Sequence, residues 1–222
     1  MMDAFDRFGL LINDRVVRTP VAIASMAGIV DAAYVLERAD HVGLCFMGGY
    51  SIDAPTMDAA RSLASDGDRR EFLYDDPVPV LKAQIETLGK SDVIPGINLR
   101  GVAPESFSGI AQVLGDTVVY EIDAHCRQPA MIAAGCGEYY LNHTEKLLAA
   151  VRALKKEGVT VSVKFRAGVA DDDRALAVSL WKAGADILHI DLMDFGTAKL
   201  RQIRNCCPLM LIANNSINTF ER

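Results

Sequence analysis

The chain has 222 residues, with 23 Lys and Arg against 29 Asp and Glu, for a formal net charge of −6. Half of the residues are hydrophobic and 23% are charged, which excludes a disordered chain and supports a sizeable core. The acidic balance gives polyanion binding no support, and no apolar run approaches the ~18 residues of a membrane span.

The N-terminal segment carries Asp3, Asp6 and Arg7, unlike a secretory leader. Five cysteines, with Cys206 and Cys207 adjacent and no metal-ligand spacing, suit a reduced, cytoplasmic protein. Short runs rich in Val, Ile and Leu predict strands over 20–27, 41–46, 93–99, 117–122, 160–165, 187–191 and 209–213. They read as apolar nearly throughout, as strands buried on both faces do. Helical patterns fall between them at 31–38, 76–88, 104–114, 143–157, 171–183 and 197–205, with Asn218 opening one more. Gly158 and Gly184 supply helix stops, and Pro77 suits a helix start. Residues 53–75 read as one long polar connection that caps an end of the fold.

This βα alternation predicts an α/β chain with a parallel sheet. An eightfold TIM-type (β/α)8 barrel forming one domain over 1–222 fits best, with the eighth unit missing from the chain. A doubly wound open sheet is the alternative, although no G-x-G-x-x-G follows the first strand.

A barrel places its chemistry at the C-terminal ends of its strands. Those ends carry Ser25 and Met26, Asn98 and Arg100, Asp123, His125 and Cys126, Lys164 and Arg166, Asp191 and Asp194, and Asn214 and Asn215. Cys126 is either a half-buried small hydrophobe or a reactive group whose thiolate His125 and Arg127 favour. Lys164 and Arg166 share one strand face, where an inward Lys needs an anion or a polar cofactor. Asn214, Asn215 and Ser216 form either a plain turn or a phosphate site at a helix start. The run 171–173 of three aspartates is a helix N-terminal charge cluster.

Five segments, in order between about residues 18 and 217, resemble motifs of the tRNA-dihydrouridine synthases, in particular their short archaeal relatives. Ala24-Ser-Met-Ala-Gly-Ile-Val-Asp31 resembles A-P-M-x-G-V-T-D, and Asn98-Leu-Arg-Gly101 resembles Q-x-x-G. Glu121-Ile-Asp-Ala-His-Cys126 resembles I-N-x-G-C, Val163-Lys-Phe-Arg166 resembles V-K-x-R, and Ile212-Ala-Asn-Asn-Ser-Ile217 resembles I-A-N-G-D-I. Dihydroorotate dehydrogenase belongs to the same flavin barrel superfamily. The resemblance implies FMN over the barrel mouth, with Ser25 and Met26 under the ring and Asn98 and Lys164 at its polar edge. It places Asn214 and Asn215 at the phosphate and makes Cys126 the general acid of an oxidoreductase acting on a pyrimidine-like C=C bond. Asp123, His125 and Arg166 then face substrate.

The chain departs from the family at Asp123, His125 and Arg127, and at Asp191-Leu-Met-Asp194 where the family has H-x-R-T. The eighth unit, which supplies half of the phosphate cradle, and the helical domain that holds tRNA are expected to be absent. The expected substrate is therefore a small molecule or a nucleobase ahead of tRNA. Two other readings fit the same residues: a cofactor-free lyase or aldolase with Lys164 as Schiff-base nucleophile, and a ligand-binding barrel without catalysis.

Overall fold

The computed structural model describes residues 10–67, 69–193 and 195–215. Expectations for Asp194, Ser216 and Asn218 lie outside the described residues. The parallel array opens with β1 (Ala22–Ile23), which pairs with β2 (Leu44–Cys45). The chain continues from β2 into β3 (Met47–Ser51), and β4 (Gly96–Arg100), β5 (Val119–Ala124), β6 (Thr160–Arg166), β7 (Ile187–Asp191) and β8 (Met210–Asn214) follow. Neighbours pair in parallel and in chain order from β3 to β8, and a bridge from Leu44 to Ile94 ties β2 to the same array. With β2 and β3 sharing one position, the described residues fill seven positions of an α/β barrel. No eighth strand lies between β8 and β1 among them.

The helices are α1 (Ala32–Leu36), α2 (Ala54–Ser65), α3 (Pro77–Leu88), α4 (Pro104–Leu114), α5 (Pro129–Ala134), α6 (Tyr139–Asn142), α7 (Thr144–Lys156), α8 (Asp173–Ala183) and α9 (Gly196–Arg204). In α7, Leu147, Leu148, Val151 and Leu154 recur at helical spacing and form its buried stripe. α8 begins on Asp172, whose carboxylate accepts from the Arg174 and Ala175 N–H groups. It ends on Gly184 at φ +104, a left-handed position that glycine takes without a Cβ penalty.

Two expectations change. The strands are not apolar on both faces. Ile97, Leu99, Tyr120, Ile122, Val161, Val163, Phe165, Leu188 and Ile190 face the helices in the main core. Every second residue, from Asn98 and Arg100 through Glu121, Asp123, Ser162 and Lys164 to His189 and Asp191, is buried and polar. Side chains alternate across a strand, so these belong to the opposite, inner face. The apolar part of the interior is Ile12, Val17, Leu44, Phe46, Ile94, Val119 and Ile187, near the strand starts, with a short hairpin of Leu11–Ile12 and Arg15–Val16 beside it.

The second change concerns residues 53–75, which contain α2 rather than an irregular connection. Its Ala59, Ala60 and Leu63 pack with Met131 of α5 and with Cys126. The expected cap is thus a helix lying over the loop that carries the cysteine.

Candidate active site

At the C-terminal end of the strands, a cavity of about 360 Å³ is lined by Ser25, Met26, Asn98, Asp123, His125, Cys126, Lys164 and Arg166. Those are eight of the ten residues expected at the site. Gly49, Arg69, Arg100 and Arg127 complete much of the wall. A larger cavity of about 850 Å³ runs along the gap between β8 and β1, and Asn214 lines that one instead.

Strand register creates the mouth. Asn98 sits beside Glu121, Asp123 beside Lys164, Lys164 beside His189, and Arg166 beside Asp191. One level down, Glu121 is fully buried, accepting from Asn98 Nδ2 at 2.9 Å and from Ser162 Oγ at 3.0 Å. His189 Nδ1 lies 2.8 Å from Oε2, the oxygen that Ser162 also donates to, while Asn98 holds Oε1. Glu121, Ser162 and His189 lie outside the set of site residues expected from the sequence. Their signal is the period of two in Glu121-Ile-Asp123 and Ser162-Val-Lys164, which marks a second, polar face.

Asp123 builds the cysteine loop. Its Oδ1 accepts the N–H groups of His125 at 3.0 Å and Cys126 at 2.9 Å, and its Oδ2 accepts Arg100 Nε at 3.1 Å. Burial alone would raise its pKa, but Arg100, His125, Lys164 and the His125 N–H together hold it below the usual carboxylate range. Arg100 is itself buried between Asp123 and Glu71, at 2.7 Å from the latter. Both Asp123 oxygens are engaged by the protein, so it shapes the loop and lends charge.

Cys126 is 6% exposed. Burial pushes its thiol up, Arg100 opposes this, and Asp123 adds to the rise. The expectation that His125 and Arg127 favour thiolate is corrected: desolvation outweighs the nearby cations, and the group stays a protonated thiol near neutrality.

Lys164 is 4% exposed, and its ammonium donates to Ser25 Oγ at 3.0 Å and to the Ser25 carbonyl at 3.3 Å. No carboxylate forms an ion pair with it among the described residues. An ammonium has three donors, so one N–H is left for a ligand. Asn98 Oδ1 is buried and has no hydrogen-bond partner. A Cβ on Gly49 would come within 2.8 Å of both Asn98 Oδ1 and Arg100 Nε, so glycine keeps this floor open.

Arg166 is tied to Glu138 at 2.7 Å and Asp191 at 3.3 Å. Asp191 also takes His125 Nε2 at 2.7 Å and Asn215 Nδ2 at 2.6 Å. The Asn215 amide is thereby committed to a carboxylate, while Asn214 Oδ1 is buried without a partner. These two asparagines do not join the mouth residues.

No family model matches the chain. An uncharacterized protein of Methanocaldococcus jannaschii, MJ0144, is 26% identical over 213 residues, covering 91% of this chain and 82% of that one. Among solved structures, the chain is similar to TcOYE with pHBA, at a TM-score of 0.61 and 9% identity, covering 94% of this chain and 82% of that one. It is also similar to 3-dehydroquinate dehydratase from Geobacillus kaustophilus HTA426, at a TM-score of 0.52 and 11% identity, covering 92% and 77%. At these identities the likeness is one of fold, and the fold is a TIM-type α/β barrel.

Proposed function

We propose that the protein is an FMN-dependent oxidoreductase acting on a conjugated, pyrimidine-like C=C bond, with Cys126 as proton donor. One observation carries the reading. A buried ammonium with a free N–H, Lys164, and a buried unpartnered acceptor, Asn98 Oδ1, line the same cavity as a protonated thiol. The pyrimidine edge of an isoalloxazine ring offers acceptors flanking an N–H, which such a donor and acceptor complement. Lys164 would balance negative charge on that edge, Ser25 would hold the Lys164 ammonium in place, and Asn98 would orient the ring.

FMN, when bound, supplies hydride equivalents. Cys126 would deliver the accompanying proton to carbon from its thiol, which burial keeps in the neutral S–H form. A cavity of about 360 Å³ falls within the usual range for small-molecule sites. The substrate class we assign is a small molecule or free nucleobase ahead of tRNA. Its setting is the cytoplasm, where five free thiols remain reduced.

The test is FMN titration by fluorescence quenching, with Lys164→Met and Asn98→Ala beside the wild type. Lys164→Met is expected to weaken binding by roughly tenfold or more, the ~1.5–3 kcal/mol of a charge-assisted hydrogen bond. Equal affinity in the wild type and both variants, or no binding in any of them, would remove the flavin. Riboflavin in parallel reports whether a phosphate site contributes.

A second reading draws on the Asp191–His125 contact at 2.7 Å, which adds a base to the acid at the mouth. With Lys164 as Schiff-base nucleophile, that set also suits a lyase. Borohydride reduction in the presence of carbonyl compounds would then attach them covalently at Lys164.

A further inference from the structure

Asp191 is 2% exposed and receives four donors: His125 Nε2, Arg166 Nε, Asn215 Nδ2 and the Met193 N–H. Burial alone would raise its pKa, but the bonds from His125, the Met193 N–H and Asn215, His125 first, bring it down to about 2. It is therefore a carboxylate throughout the neutral range and can only accept. A bare imidazole nitrogen 2.7 Å from a carboxylate oxygen would set lone pair against lone pair, so His125 Nε2 must carry hydrogen there. Arg166 Nη2, 3.3 Å from the same nitrogen, is then a neighbour on the shared carboxylate rather than a donor to the ring.

The opposite nitrogen is the consequence. His125 Nδ1 makes no hydrogen bond among the described residues, and the ring, a quarter exposed, lines the mouth beside Cys126. We propose that Asp191 is a positioning residue that fixes His125 as a proton acceptor through Nδ1, and that the substrate brings an N–H or O–H donor to it. This rests on the mouth being a reactive site, and not on the flavin.

In the proton step, the substrate N–H or O–H bond breaks, its proton moves to Nδ1, and its electron pair stays on the substrate heteroatom. The imidazolium formed faces the Asp191 carboxylate, which offsets its charge. Charged groups around the ring agree with a neutral resting state. Burial lowers the His125 pKa, Asp123 and Asp191 oppose this, and Lys164 and Arg166 add to the lowering. Cys126 is pushed the other way, so adjacent residues on one loop provide an acid and a base.

The experiment is long-range 1H–15N NMR of the imidazoles in the full chain without added flavin, with resonances assigned by His125→Gln. The expected wild-type signature at pH 8 is an Nε2–H tautomer for His125, which titrates below the ordinary value of ~6.5. In Asp191→Asn the single tautomer is expected to give way to a mixture or to reverse, with the titration moving further down as a raising partner is lost. An Nδ1–H tautomer in the wild type overturns the proposal, as does an Asp191→Asn spectrum with the tautomer unchanged. Uracil, which carries N–H donors, is expected to shift Nδ1, and 1,3-dimethyluracil is not. An equal response to both, or none to either, overturns the substrate half. Because no flavin is present, loss of the flavin reading leaves this result standing and failure here leaves the FMN titration standing.

Discussion

Asp123 shows how one residue can decide the chemistry of its neighbours. Two loop N–H groups converge on Oδ1 and a buried guanidinium on Oδ2, so the turn that presents His125 and Cys126 is held from inside the barrel. Burial pushes the thiol of the nearby cysteine up, and the side of Cys126 away from the cavity packs with apolar Ala59, Ala60, Leu63 and Met131. Cys126→Ala is accordingly expected to leave flavin binding unchanged and to slow turnover of an unsaturated substrate by roughly 10²–10⁴-fold, with little recovery in Cys126→Ser. The raised thiol pKa fixes the sign of a simpler measurement. Iodoacetamide reacts with thiolate, so alkylation of Cys126 at pH 7 should be slower than for a free cysteine. The rate should still be rising with pH above the ~8.5 where an ordinary thiol is half ionised. Fast alkylation at neutral pH, levelling off below that value, would contradict the assignment of Cys126 as an acid.

At the scale of elements, the mouth depends on the join between α2 and the barrel. Asp53 caps α2, its Oδ1 accepting from the Thr56 N–H at 3.3 Å and the Thr56 hydroxyl at 2.8 Å, while Oδ2 accepts the Val102 N–H at 2.7 Å beyond β4. One carboxylate thus fastens the helix over Cys126 to the end of a strand. Asp53→Ala is expected to cost about 1–2 kcal/mol, a fall in Tm of roughly 2–8 °C for a chain of this size. Alkylation of Cys126 should rise as its cover loosens. Asp53→Asn retains a helix cap but replaces the acceptor for Val102, so it should fall between the two. Calorimetry and alkylation rates check both, and an Ala variant as stable as the wild type would show that the cap carries no load. Below α2, a Cβ on Gly137 would collide with the Cys126 carbonyl oxygen, and Gly137 already stands at φ +67. Glycine there lets α6 follow the cysteine loop closely.

Across the whole molecule, the array is uneven. β5 and β6 are paired on both sides and buried over nearly all of their length. β8 pairs only with β7 among the described residues, is half-buried throughout, and borders the 850 Å³ cavity. Hydrogen exchange should therefore be at least roughly tenfold faster for the β8 amides than for β5 and β6, since opening an edge strand breaks fewer contacts. Equal protection would mean that a further strand covers this edge in solution.

The sequence by itself determined the parallel barrel order, because short β-branched runs alternate with amphipathic helices and their stops fall at residues such as Gly184. It also determined most of the rim, because in a parallel βα array the strand ends lie together whatever the packing details. It did not reveal α2, whose inward side chains are mostly Ala and Thr and leave only a weak apolar stripe. Three matters belonged to the tertiary structure alone. Whether Cys126 is thiol or thiolate depends on desolvation by residues far along the chain. Which nitrogen of His125 is bare depends on Asp191, 66 residues away. That Asn215 is bound to Asp191 while Asn214 faces the gap follows from strand register. Protonation and hydrogen-bond partners are set by distance and burial, and a linear sequence specifies neither until the chain has packed.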